Sequence, residues 1–140
     1  MKLERGNDEH IAYEHFEGAS PGIVFLSGFN SNMQGDKAVA LDAWCRQSGR
    51  QFTRFDYQGH GDSSGKFEDG SIGRWIDDAL AVLDEVASGP LVLVGSSMGG
   101  WIMLQVALAR PDRVIGLVGI AAAPDFTEAL AHGGLLPEQM

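Results

Sequence analysis

Residues 91–109, LVLVGSSMGGWIMLQVALA, limit the possible fold more than any other stretch of the chain. The run is almost long and apolar enough to cross a bilayer. Gly95, Ser96, Ser97, Gly99 and Gly100 interrupt it near its middle, however. A buried strand, a tight turn and a buried helix satisfy this pattern, and a membrane span does not. A strand that feeds a helix inside an apolar interior implies a sheet covered on both faces.

The rest of the chain repeats the alternation. Residues 11–17 read as a weak strand, and Ser20-Pro21-Gly22 as a turn into a buried strand over 23–28. Residues 37–47 read as a helix with Ala38, Leu41, Trp44 and Cys45 inward, closed by Gly49 in a left-handed cap. A strand follows over 51–57, then a loop of glycine, serine and aspartate in which Asp56 and Asp62 are expected to bond nearby backbone. Residues 71–86 carry apolar side chains at helical spacing, with Asp77, Asp78, Asp84 and Glu85 on the wet face. Residues 98–110 read as a buried helix stopped by Pro111, and 113–123 as a further buried strand. Strands alternating with helices predict an α/β fold with a mostly parallel sheet and helices on both faces. Ligands of such sheets bind beyond the carboxyl ends of the strands, so chemistry is sought in SGFNSNMQG, YQGHGDSSGK, GSSMGG and AAAPDF.

Composition removes several functions. A formal net charge of −9 opposes nucleic acid and anionic membrane surfaces as partners. The one cysteine, Cys45, has no internal disulfide partner and is read as core, so a reducing, cytoplasmic setting is expected. The first ten residues, MKLERGNDEH, contain no apolar leader segment.

Gly95-Ser96-Ser97-Met98-Gly99 fits G-x-S-x-G with Ser97 at its centre. With 19 glycines in the chain, chance supplies roughly 0.2 such matches, so the flanking strand and helix must support the reading. A residue at so sharp a bend is strained, and side chains two positions before and after it would collide with neighbours. Gly95 and Gly99 therefore read as steric necessities and Ser97 as an exposed nucleophile. The Met98 N–H would open a helix, where amides lack internal acceptors and an oxyanion can rest. Gly28 allows close approach, and the Phe29 N–H is the second candidate donor. A tight turn without chemistry remains the rival reading. Phe29, Met33, Trp101 and Met103 are either an apolar rim for an acyl chain or plain core. GHGDSS lacks the third glycine of a dinucleotide loop, and GDSSGKF has neither the spacing nor the hydroxyl of a phosphate loop.

SGFNSNMQGDKA, FDYQGHGDSSG and residues 90–128 together resemble an α/β-hydrolase. More narrowly, they are similar to the group that includes a palmitoyl-protein thioesterase, also described as an acyl-glucuronide esterase, and its bacterial relatives. The resemblance implies a serine hydrolase acting on esters or thioesters of small acyl substrates, with no cofactor and no metal. It matches Ser97 to the nucleophile and Phe29 and Met98 to the oxyanion hole.

In that fold the acid and the histidine follow the nucleophile. Here one strand follows, so 1–124 reads as the front part of one domain, truncated after that strand, and 125–140 as the start of a lid. His10 and His15 read as surface residues, His60 as a turn residue at the correct sheet edge, and His132 as too remote to be the base. Asp125 is a weak candidate for the acid. The fragment alone is expected to be inactive. Its last strand is expected to form a bare apolar edge prone to self-association. A non-catalytic binding module stays open as an alternative, as does another reaction on the same scaffold, of peroxidase or carbon–carbon cleaving type.

Overall fold

The computed structural model describes residues 1–120. Strands β1 (Lys2–Gly6), β2 (Glu9–Phe16) and β3 (Ala19–Leu26) lead into helix α1 (Asp36–Ser48). Strand β4 (Arg50–Phe55), a 3-10 turn at Phe67–Asp69, α2 (Ile72–Glu85), β5 (Leu91–Ser96), α3 (Met98–Ala109) and β6 (Val114–Ile120) complete it. The sheet order is β1-β2-β4-β3-β5-β6. The pairs β4–β3, β3–β5 and β5–β6 are parallel, while β1–β2 and β2–β4 are antiparallel.

The two-residue period of β3 divides the core. Val24 and Leu26 join Trp75, Leu83, Met98 and Ile102 beneath α2 and α3, while Phe25 joins Ala38, Cys45 and Phe52 beneath α1. The expected α/β architecture with helices on both faces is what forms.

Several local expectations are corrected. Asn7 and Asp8 both take positive φ, at 53° and 62°, and turn a strand β1 back onto β2. That hairpin was missing from the sequence reading, although its two-residue turn chemistry suits Asn and Asp. Ser20-Pro21-Gly22 lies inside β3 rather than before it. Pro21 has no N–H to give, and pairing with β4 skips from Ala19 to Ile23 there. Trp44 is exposed, and the inward face of α1 is Ala38, Asp42 and Cys45. Asp42 is tolerated inside because the guanidinium groups of Arg46 and Arg54 bind its two oxygens. Asp78 is buried rather than wet, since its Oδ2 accepts the Gln58 N–H at 2.8 Å. Leu108 points outward from α3, which is buried only at its N-terminal end and along Ile102, Met103 and Val106. Gly49 does close α1, with φ 70°.

Strand β6 was expected to lie at a bare edge of the sheet, although its apolar run read as buried on both faces. Among the described residues it does form the sheet edge, with Ile115 61%, Leu117 42% and Val118 48% exposed, while Val114 packs against the core beneath α2 and α3 and Ile120 against the core beneath α1. Residues 121–140, which include Asp125, His132 and the expected lid, lie outside the described residues.

Candidate active site

Strand β5 passes into α3 through a single residue, Ser97, with φ 55° and ψ −117°. That conformation is costly for a residue with a Cβ and persists only where its surroundings enforce it. Here they do. The Ser97 N–H donates to the Ile120 carbonyl at 3.1 Å, and the Ser97 carbonyl accepts from Gly100 N–H at 2.9 Å. A Cβ on Gly95 would lie 2.4 Å from the Gly99 carbonyl oxygen, and one on Gly99 would lie 2.0 Å from the Leu26 carbonyl oxygen. Both contacts are forbidden, so the glycine spacing is a steric consequence of the corner. Ser97 itself is partly exposed. Met98 begins α3, so its N–H is among those that a helix leaves without an internal acceptor.

The 27–35 loop lies against this corner. A Cβ on Gly28 would stand 3.3 Å from the Ser97 Cβ and from the Ser96 carbonyl oxygen. Side chains from beneath hold the loop: the buried Tyr57 hydroxyl donates to the Ser27 carbonyl at 3.0 Å, Arg54 donates to the Met33 carbonyl, and two buried titratable groups bind its amides. Asp56 accepts the Met33 N–H at 2.7 Å on one oxygen and the Asp62 N–H at 2.9 Å on the other. His60 accepts the Asn30 N–H on Nε2 at 3.2 Å and donates from Nδ1 to the Gln58 carbonyl at 3.1 Å. A cleft of about 190 Å³ opens between this loop and Ser96, with Ser27, Ser31 and Asn32 on its wall.

Of the proposed rim, Met33 and Met103 are core, Trp101 is half-buried and Phe29 is 38% exposed. The Phe29 ring meets Phe67 edge-on at 5.0 Å and Trp75 at 6.0 Å. This aromatic group was not read from the sequence, because its members come from three separate segments.

Of the expected backbone bonds, Asp56 makes its own through the side chain, whereas those at Asp62 run through its main chain. His15 is not a surface residue: its Nδ1 meets Thr53 Oγ1 across the strands at 2.7 Å and its Nε2 meets Glu17. His10 Nε2 meets the Asp62 carbonyl. Thus, among the described residues, no histidine is bonded to Ser97. No group of three or more His, Cys, Asp or Glu is placed to hold a metal ion among them.

Burial dominates the electrostatics of the loop supports. It raises the Asp56 carboxyl above the usual carboxylate range, against the two amide bonds that favour ionisation. It lowers His60, against the Gln58 bond and the Asp56 charge. Burial likewise pushes Asp78 up to about 6 from 3.8, opposed by the Gln58 N–H and by Arg74 and Arg5. The folded state therefore binds the Asp78 proton more tightly than the unfolded chain. The cost of ionising it is absent below 3.8, grows as pH rises to about 6, and is constant above. Asp78→Asn keeps an acceptor for Gln58. It is expected to stabilise the fold by about 1–3 kcal/mol near pH 8 and by almost nothing near pH 3.5. Urea titrations of both proteins at the two pH values check this, and an equal gain at both would refute it.

Comparison with known proteins identifies the scaffold. Residues 19–136 match the Hydrolase_4 family, described as "Serine aminopeptidase, S33". The chain belongs to this family. The Hydrolase_4 chain is 47% identical over 138 residues to rat "Palmitoyl-protein thioesterase ABHD10, mitochondrial", covering 99% of this chain and 46% of that protein. It superposes on the structure of mouse alpha/beta hydrolase domain-containing protein 10 with a TM-score of 0.90 and 45% identity, covering 99% of this chain and 56% of that one. A putative hydrolase from Agrobacterium vitis S4 follows at 0.85 and 40% identity, with 99% and 57% covered. The α/β-hydrolase fold and the thioesterase-group resemblance read from the sequence are thereby established. The chain spans about half the length of the curated relatives it matches.

Proposed function

We propose that Ser97 is the nucleophile of a serine hydrolase that cleaves carboxylic esters or thioesters through an acyl-enzyme. The observation that carries this reading is the Ser97 corner, with φ 55° held in place by Gly95 and Gly99. Strain of this kind has no structural benefit at a simple turn, and it presents the hydroxyl at the carboxyl end of β5. The Ser97 Oγ attacks the carbonyl carbon and its proton passes to a base outside the described residues. The oxyanion is received by the N–H groups of Met98 and Phe29, and the contact between Gly28 and Ser97 supports this pairing of loops. Collapse of the tetrahedral intermediate expels the alcohol or thiol, and water then releases the acyl group. The printed name of the rat relative points to a long acyl chain on a thioester as the substrate class.

A fluorophosphonate probe applied to the full-length protein tests the reading. The adduct is expected on the peptide carrying Ser97 and absent from Ser97→Ala. No adduct in the parent, or equal labelling of both, would overturn it. The same experiment separates this reading from the second one, a non-catalytic ligand-binding module.

We also infer that the 140-residue chain, made alone, self-associates by pairing β6 edges. Light scattering at micromolar concentration is expected to show dimers or larger species, and a monodisperse monomer contradicts this. The compartment we propose is a reducing one, supported by the single buried Cys45. The rat relative's name places that protein in mitochondria rather than the cytoplasm.

A further inference from the structure

We infer that His60 is a positioning residue for the oxyanion loop, acting as a neutral hydrogen-bond acceptor for the Asn30 amide. The inference rests on the Ser97 reading above. The loop has little regular structure of its own: Asn30 takes φ 53°, and the Ser31 N–H closes a turn on the Gly28 carbonyl at 3.2 Å. That bond turns the Gly28 carbonyl toward Ser31. Because a trans peptide sets its N–H opposite its carbonyl, it also sets the direction of the Phe29 N–H. The next peptide unit ends in the Asn30 N–H, and the His60 Nε2 is what receives it, at 3.2 Å. The two peptide units that flank the Phe29 Cα are therefore both held by hydrogen bonds: the first by Ser31 N–H on the Gly28 carbonyl, the second by His60 on the Asn30 N–H, with a long contact of 3.5 Å from Ser31 Oγ to the Phe29 carbonyl.

The imidazole is itself held from every side. Its ring is 3% exposed and meets Tyr57, Phe67 and Trp75 edge-on, with centroids 5.5, 5.2 and 5.0 Å away. Its Nδ1 and the Trp75 Nε1 both donate to the Gln58 carbonyl at 3.1 Å, while the Gln58 N–H donates to Asp78. With Nδ1 engaged as donor, Nε2 carries a lone pair, the one state in which it can accept from an amide. Burial, which disfavours the charged ring, works in the same direction. A run of bonds thus connects α2 to the loop: Asp78, Gln58, His60, Asn30. No described histidine contacts Ser97, so His60 acts through the loop and not on the reacting atoms.

The test uses the full-length protein and a p-nitrophenyl ester. His60→Leu removes the acceptor and is expected to lower kcat about 10- to 100-fold, with KM within about twofold, because a donor to the transition state is misplaced while ground-state binding is kept. His60→Gln offers a side-chain oxygen near the Nε2 position and is expected to recover most of kcat. A role in stability alone would lower both variants' melting temperatures without this split or this rescue. Should the leucine variant not fold, nitrogen-15 spectra of the parent decide: a ring protonated on Nδ1 and bare on Nε2 supports the inference, and the opposite tautomer or an imidazolium overturns it. Unchanged kcat in His60→Leu, or equal loss in both variants, also overturns it. If the parent forms no Ser97 adduct, the nucleophile reading fails instead. The ring tautomer reports on the His60–Asn30 bond independently of that outcome.

Discussion

Replacing Ser97 by glycine is expected to strengthen the fold while removing the activity. Serine at φ 55° and ψ −117° carries a strain of about 1–3 kcal/mol, since only glycine visits this region freely. Glycine relieves that strain but loses about 0.5–1 kcal/mol to the greater freedom of its unfolded chain. The net expectation is a gain of about 1 kcal/mol in urea unfolding. In the full-length protein the same change is expected to lower ester turnover by at least about 10⁴-fold, because it removes the oxygen proposed to attack and leaves the proposed oxyanion donors in place. The opposite signs are the informative part. A variant that is both less stable and less active would show that Ser97 is a structural hydroxyl. Retained turnover would remove it from the chemistry.

The second large effect is at Gly99. An alanine Cβ there would sit 2.0 Å from the Leu26 carbonyl oxygen and 2.6 Å from its carbon, both main-chain atoms of a central strand. No rotamer change can relieve a clash with backbone, so β3 and α3 would have to separate. We expect Gly99→Ala to cost more than about 3 kcal/mol, at the severe end of single substitutions. Gly73 in α2 is the control. Its added Cβ meets nothing within 4 Å, and Gly73→Ala is expected to stabilise by up to about 1 kcal/mol through helix propensity. Urea midpoints of the two variants, measured together, distinguish close packing from a general intolerance of glycine replacement. Similar midpoints would refute the steric account.

Much of the scaffold was legible in the sequence because its signals are local. The alternation of apolar runs and amphipathic stretches located α1, α2, β4, β5 and α3, and Gly49 marked the end of α1 by cap chemistry, whereas Ser71, read as the first helical residue, is the N-cap of α2. The Ser97 corner was legible because Gly95, Ser97 and Gly99 fall within five residues, although only Gly95 is demanded by local neighbours and Gly99 is demanded by Leu26 of β3. What was missed depends on distant partners. Asp42 and Asp78 look like surface carboxylates until Arg54 and the Gln58 amide reach them from other elements. His60 looks like a turn residue until the 27–35 loop folds over it, 30 residues away in sequence. Strand β6 was assigned two covered faces from its apolar content, yet composition does not say which elements cover it.

The bond from the Ser97 amide to Ile120 has a further consequence. It ties Ser97 to the outermost described strand, so the shape of the corner depends on β6 lying flat against β5. Whatever shields that margin of the sheet also sets how firmly the hydroxyl is aimed. A partner that lifted the strand would slacken the bend without coming near the cleft.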